Sequence, residues 1–275
     1  MRTFDPDIVS HPEIHRLLVG GVAPRPIALV ATMDNAGQVN LSPFSFFNVF
    51  GVNPAIVCFS PAYSGRTGKA KDTMLNLLDT RECTVSVVNF DIVHQISLAS
   101  APYERGVDEF VKSGLTKLPS VKVAPPGVAE SPFVMEARLL QHMEFGGNPG
   151  SANMMMCEIV MLHVSEMVIT EQGGIDPTLI DQVARLGGPY YTRARDGLFV
   201  LPQPGQILAG IDSLPEELRD SPILTGKHLA QLASLPAIPE AYHTNFATME
   251  ARHRKAALLL DQGDVSAAWT ALLPA

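Results

Sequence analysis

Side chains that favour anions crowd into one short stretch of the chain. Ser60, Ser64, Arg66, Thr67, Lys69, Lys71 and Thr73 are set around Gly65 and Gly68. The stretch runs directly into a segment patterned as a helix, with Asp72 as its expected cap and Met74, Leu75, Leu77 and Leu78 as its apolar residues. Loop N–H groups and a helix N-terminus are natural hosts for a phosphate dianion. These cations stand out in a chain whose formal charge is −8. A little upstream, Ser45-Phe46-Phe47-Asn48 offers polar backbone and side-chain groups with aromatic rings beside them. Such a stretch can lie along the hydrogen-bonding edge of a flat heterocycle. A planar ring on one loop and a phosphate on the next describe flavin mononucleotide (FMN). A Ser/Gly/Lys-rich loop taken alone is more often a solvated turn, so this reading rests on the two loops together.

The other chemistry-bearing patterns are weaker. The cationic loop is not a nucleotide P-loop, which would need Gly in place of Tyr63 and Ser or Thr in place of Ala70. His11 and His15 could share a helix face as metal ligands, but no third ligand stands nearby, so no metal site is expected. Glu250-Ala251-Arg252-His253 has the Glu-x-x-His spacing of di-iron bundles; a second copy is missing, and a solvated helix face is the better reading. The same holds for Arg252 to Lys255 as a grip on a nicotinamide phosphate. His163 sits in a strand pattern and reads as structural. Met154 to Met156 read as core. The cysteines Cys58, Cys83 and Cys157 are odd in number and lie in apolar runs, as buried thiols in a reducing compartment do.

The elements that must position the two loops follow from pattern. Ser10 to Leu18 reads as a helix with Ser10 as N-cap and Glu13 three residues on. Ile27 to Met33 and Gln38 to Leu41 form a hairpin across the turn Asp34–Gly37. Ala55–Ser60 and Cys83–Asn89 are further strands. Asp91 is expected to cap the next helix, and Asp108 to Lys112 one helical turn. Two long strands follow, Phe133–Phe145 and Asn153–Ile169, joined by the glycine-rich Gly146–Gly150. Strands of that length suit a barrel. Asp176-Pro177 starts a helix that ends at Gly187-Gly188, and Gly197–Pro202 is a last short strand. Beyond Gly205 the pattern turns helical: a capping box from Ser213 to Glu216, a cap at Thr225, and a longer helix over Ile238–Gln262. The expected architecture is mainly β with helices (α+β), with a barrel domain over 1–204 and a helical extension over 205–275.

Composition bounds the partners. The chain has 275 residues, 46% of them hydrophobic, enough for a substantial core. Net negative charge argues against nucleic acid, whose phosphates need a basic face. No apolar run approaches the ~20 residues of a membrane span. The start lacks a secretory pattern, so a cytoplasmic protein is expected.

Read in order, PRPIALVAT, NLSPFSFFN, NPAIVCFS, GRTGKAKDTMLN, TVSVVN, ASAPYERGVDEF, VAESPFVMEARL and ARLGGPYYTR resemble the flavin reductase-like family of FMN-binding split β-barrels. The resemblance covers roughly residues 20–200. It implies an FMN-binding oxidoreductase that takes hydride from NADH or NADPH, and a homodimer with flavin near the interface. It implies that Ser45, Phe46, Phe47 and Asn48 lie along the ring. Ser60, Arg66, Lys71 and Thr73 serve the ribityl-phosphate end, with the Thr73 hydroxyl on phosphate. Ala101 and Tyr103, and Arg185 and Gly187, lie on segments that approach the site. The extension over 205–275 exceeds what a minimal flavin reductase needs. It leaves open a flavoprotein without nicotinamide activity, such as an electron carrier or sensor, or an FMN enzyme with an organic substrate under the extension.

Overall fold

Strand β2 (Ala28–Met33) shows how the sheet is built. Its alternate side chains face opposite ways, yet nearly all are buried, because both faces are covered. Ala28 and Val30 join one core with Val57, Phe59, Leu77, Val85, Met135 and Met155. Leu29 and Ala31 join a second with Leu41, Ile92, Ile96, Phe110, Val128 and Val183. Each large side chain so buried contributes about 1.5–3 kcal/mol. This is a computed structural model, and it describes residues 1–201, 203–239 and 249–273.

Around β2, the chain forms β1 (Arg25–Pro26), β3 (Val39–Phe44), β4 (Phe47–Val52), β5 (Ala55–Phe59) and β6 (Glu82–Val87). Next come β7 (Lys117–Leu118), β8 (Gly127–Val128), β9 (Phe133–Phe145), β10 (Ala152–Val164), β11 (Val183–Arg185) and β12 (Tyr191–Arg193). Helices α2 (Asp72–Thr80), α3 (Val93–Ala99) and α4 (Glu109–Ser113) pack against the strands, while α1 (His11–Gly21), ahead of β1, buries none of its residues. The large sheet runs β3-β2-β6-β9-β10-β5-β4, all antiparallel. Its two edge strands, β3 and β4, are consecutive in the chain and separated only by Ser45 and Phe46. A sheet whose opposite edges are tied by so short a link must curl until they meet at a corner, which makes an open, split barrel. Register shifts in β10 near Met156 and Ile159 mark bulges that help long strands bend. A small sheet, β1-β11-β12, lies beside the large one, and β7 pairs with β8.

By compactness, residues Met1–Leu198 and Phe199–Ala275 form two units. The second holds α5 (Glu216–Arg219), α6 (Gly226–Leu232), α7 (Met249–Asp261) and α8 (Val265–Leu272). It has its own core of Leu214, Leu218, Leu232, Leu260, Trp269 and Leu272. The architecture is a split barrel with a helical C-terminal extension.

Several sequence expectations change in detail. Phe47 and Asn48, read as loop, open strand β4. Lys71, not Asp72, is the N-cap of α2, and Asp72 pairs with Arg105 at 2.8 Å instead. Helix α3 has Ile92 at its N-cap, and Asn89 rather than Asp91 accepts a backbone N–H there. The strand from Asn153 stops at Val164, followed by a 3-10 turn at Glu166–Val168. The helix expected from Asp176 is only a turn. Asp176 does accept the N–H groups of Thr178 and Leu179, but Asp181 at φ +48 breaks it. The Arg193 guanidinium holds the Asp181 carboxylate, and the chain then enters β11. Over Gly197–Pro202 no strand forms through Leu201; Ala194–Gly197 is a 3-10 turn, and residue 202 lies outside the described residues. Ser213 ends a 3-10 turn with its hydroxyl on the Ala209 carbonyl, so it does not cap α5, whose N-cap is Pro215. Thr225 caps α6, in a box completed by His228. The helix expected over Ile238–Gln262 is described from Met249 to Asp261; residues 240–248 lie outside the described residues.

Candidate functional site

The corner between the barrel edges places the ring-edge stretch. Ser45 and Phe46 form the link itself, and Phe47 opens β4 opposite Phe59 of β5. Ser60 ties the corner to its surroundings. Its N–H donates to the Phe46 carbonyl at 2.9 Å, and its hydroxyl accepts from the Asn153 N–H at 3.1 Å. Ser60 is also where the chain enters the cationic loop. The two loops read from sequence are therefore joined through one residue. Asn48 is exposed, and its side-chain carbonyl accepts only the neighbouring Val49 N–H.

The cationic loop is braced from below and open above. Tyr63 exchanges backbone hydrogen bonds with Gly150 and Ser151 in the β9–β10 turn, and its hydroxyl donates to Glu144 at 2.8 Å. That bond to Glu144 raises the Tyr63 phenol above its ordinary value, with burial and the carboxylate charge adding. Gly68 takes φ +68, a conformation glycine adopts freely, and returns its N–H to the Ser64 carbonyl at 2.7 Å. Arg66, Lys69 and Lys71 are exposed, and among the described residues none meets a carboxylate within 4.0 Å. Asn153, at the root of the loop, has a buried side-chain NH2 without a partner. The donor set fits an anionic group: three unneutralised cations, loop hydroxyls, and the first turn of α2.

Thr73, expected to offer its hydroxyl to phosphate, has a protein partner. It is 1% exposed and its hydroxyl donates to Asn40 Oδ1 at 2.8 Å. Asn40 in turn donates to Glu109, which also accepts the Leu41 N–H. Burial pushes the Glu109 carboxyl above its ordinary value, against the hydrogen bonds from Leu41, from its own N–H and from Asn40. The Thr73 hydroxyl is thus engaged inward, while the Lys71 and Arg66 side chains are exposed. Arg105, which sequence reasoning passed over, bridges Asp72 and Asn76 at 2.8 and 3.0 Å. It brings the segment carrying Ala101 and Tyr103 to the start of α2. Tyr103 lies 5.7 Å from the Lys112 ammonium.

Arg185 and Ser45 line one cavity of about 110 Å³, with Ile27, Pro43, Ile96, Ser97, Ser100 and Tyr191. Arg185 donates to the Tyr191 hydroxyl at 2.7 Å and to the Gly188 carbonyl at 3.1 Å. Gly187 has a packing reason instead: a Cβ there would come within 3.0 Å of the Gly20 Cα of α1. Arg25 was missed from sequence. It is buried, donates to the carbonyls of Val19, Val22 and Leu186, and lies 6.0 Å from the Phe46 ring. The only sequence signal for it was a cation in front of an apolar strand.

Other candidates resolve as structure. His163 contacts the buried Glu136 at 2.6 Å. The three cysteines are free and buried. A hydrogen bond with Cys157, with burial adding, pushes the Cys83 thiol well up. Among the described residues no cluster of three or more metal-ligating side chains occurs, and no helix is long and apolar enough to cross a membrane.

A curled antiparallel sheet with a cationic loop beside its corner defines a split-barrel protein of the flavin-binding kind. Residues 20–183 match the flavin reductase like domain, and the chain belongs to that family. An uncharacterized protein of Halalkalibacterium halodurans is 36% identical, over 68% of this chain and 90% of its own. Nitrilotriacetate monooxygenase component B from Bacillus cereus has a similar structure, with TM-score 0.66 and 26% identity over 75% of this chain and 98% of that one. So has a protein with a split barrel domain from Shewanella frigidimarina, at TM-score 0.63 and 25% identity, over 74% of this chain and all of that one, 100%. Flavin-related oxidation and reduction is the class of chemistry the family defines.

Proposed function

We propose that this protein binds FMN and uses it to accept hydride from NADH or NADPH. The observation that carries the reading is the loop with Arg66, Lys69 and Lys71 unpaired, joined through Ser60 to the corner at Ser45 and Phe46. The cations and loop N–H groups hold the phosphate, with Ser60 at the ribityl end. Ser45, Phe46, Phe47 and Asn48 align the ring edge. Bound FMN supplies a two-electron acceptor at its ring; the protein supplies orientation, charge balance and exclusion of water. Hydride transfer needs no obligatory side-chain base, which agrees with a site built of hydroxyls, amides and cations. The test is the absorbance spectrum of the purified protein, followed by anaerobic titration with NADH and NADPH. FMN uptake with bleaching of the flavin band supports the reading; a protein that takes up no FMN overturns it.

We also propose a cytoplasmic homodimer. Edge strand β4 exposes Val49, Phe50 and Val52, the last at 88%. An edge of that kind needs cover, and a second copy supplies it. Light scattering of wild type and Phe50→Lys checks this: a wild-type monomer excludes the dimer.

A further inference from the structure

Arg25 and Arg185 stand directly opposite each other in the β1–β11 ladder. Like charges at directly opposed positions repel, and among the described residues neither arginine meets a carboxylate within 4.0 Å. Arg25 is 8% exposed, and its Nε is buried without a partner. In a chain of net charge −8, two facing arginines without a counter-ion mark a place where an anion belongs. Arg25 is held by backbone carbonyls, and Arg185 alone of the two lines a cavity of about 110 Å³, walled also by Ser45, Ser97, Ser100 and Tyr191. Its volume suits a carboxylate or a phosphate group, not a whole flavin. A guanidinium has five N–H donors, and Arg185 uses Nη1 on Tyr191 and Nη2 on Gly188, leaving others free. The Tyr191 hydroxyl accepts from Arg185, so its own hydrogen is available to a ligand.

We propose that this cavity is an oxyanion subsite that seats the carboxylate or phosphate group of the co-substrate against Arg185 and the Tyr191 hydroxyl. Resting on the FMN reading, it adds a second anion site. The flavin phosphate goes to the Arg66–Lys71 loop, and Ser45, at the ring corner, forms one wall of the cavity. A group held here is tethered beside the ring, so the subsite selects which reductant or acceptor reaches it.

The FMN-loaded protein tests this, with inorganic phosphate and benzoate as probes in steady-state NADPH and NADH oxidation. Both probes are expected to inhibit competitively. Arg185→Gln is expected to abolish that inhibition and to raise the KM of the anionic co-substrate about tenfold or more, the scale of a lost charged hydrogen bond. A KM rise for NADPH alone identifies the dinucleotide phosphate as occupant. Inhibition by benzoate with equal KM for the two nucleotides identifies a carboxylate. Ser97→Phe, which fills the cavity and leaves residue 185 an arginine, is expected to remove the inhibition too. Unchanged anion inhibition in both variants overturns the proposal. So does an Arg185→Gln variant that binds FMN weakly but riboflavin normally, because the cavity then serves the flavin phosphate. If neither protein binds FMN, the functional reading fails instead, and calorimetric titration of phosphate into wild type and Arg185→Gln still decides the subsite.

Discussion

Glu136 and the Arg66–Lys71 loop place charge on the same barrel in opposite ways. Glu136 is fully buried, yet each of its oxygens is met: by the N–H groups of Val121, Lys122 and Val123 and by His163. The loop keeps its cations at the surface, and among the described residues they have no carboxylate partner. A buried charge with all its partners holds structure; in this case it fastens residues 121–123 to β9. An exposed group of like charges without partners stabilises nothing by itself and is ready for a ligand. The difference separates residues whose loss should unfold the chain from residues whose loss should only empty it.

Removing Glu136 should have the largest effect. Glu136→Ala strands three backbone donors and leaves His163 unpaired, at a cost of about 3–5 kcal/mol. Urea unfolding measures it, and a loss under about 1 kcal/mol would contradict the role. The same group sets an acid limb. Burial alone would raise its carboxyl, but the Val121 N–H, the His163 ring and the Lys122 N–H outweigh it, and the net shift is downward. A carboxyl lowered in the folded state stabilises fully above its unfolded value, near 4.3. That contribution is lost as pH falls through the lower folded value. Stability of wild type should therefore drop below about pH 4 more steeply than that of Glu136→Gln. Parallel acid limbs would show that the carboxylate is not the group responsible.

The loop should behave in the contrary way. Arg66→Ala with Lys71→Ala is expected to leave stability within about 0.5 kcal/mol, since exposed side chains without partners are removed. FMN affinity should fall about 10- to 100-fold, as expected for lost charge-assisted contacts, while riboflavin affinity stays level. Equal losses for both flavins would mean that the loop does not hold the phosphate.

Much of this was legible in the sequence, for reasons that differ by region. β2, β5, β6 and the β9–β10 pair carry β-branched and apolar runs that leave little alternative to a strand. The two site loops could be read because cations, hydroxyls and glycines cluster locally. What stayed hidden depends on distant partners. Strand β4 exists because its edge pairs with β5 and its start is tied at the corner, and Asn48 and Gly51 gave no strand signal. The helix expected after Asp176 loses to an ion pair with Arg193 and to the ladder with β1. Arg25 and Arg185 are far apart in sequence, so their opposition appears only once β1 and β11 meet.

Thr73 draws the comparison most finely, because it lies on the loop side in sequence and on the buried side in space. Its neighbours Lys71 and Asp72 reach solvent, but its hydroxyl faces Asn40 and, through it, Glu109. Thr73→Val keeps the shape and deletes the donor. If the hydroxyl belongs to the buried network, stability falls by about 1 kcal/mol, one hydrogen bond, and FMN affinity changes less than about twofold. If it belongs to the phosphate, the pattern reverses: FMN binding weakens, riboflavin binding does not, and stability is unchanged. Measuring unfolding and both flavin affinities on this one variant decides whether the boundary between structural and ligand-binding polar groups runs at residue 73 or beneath it.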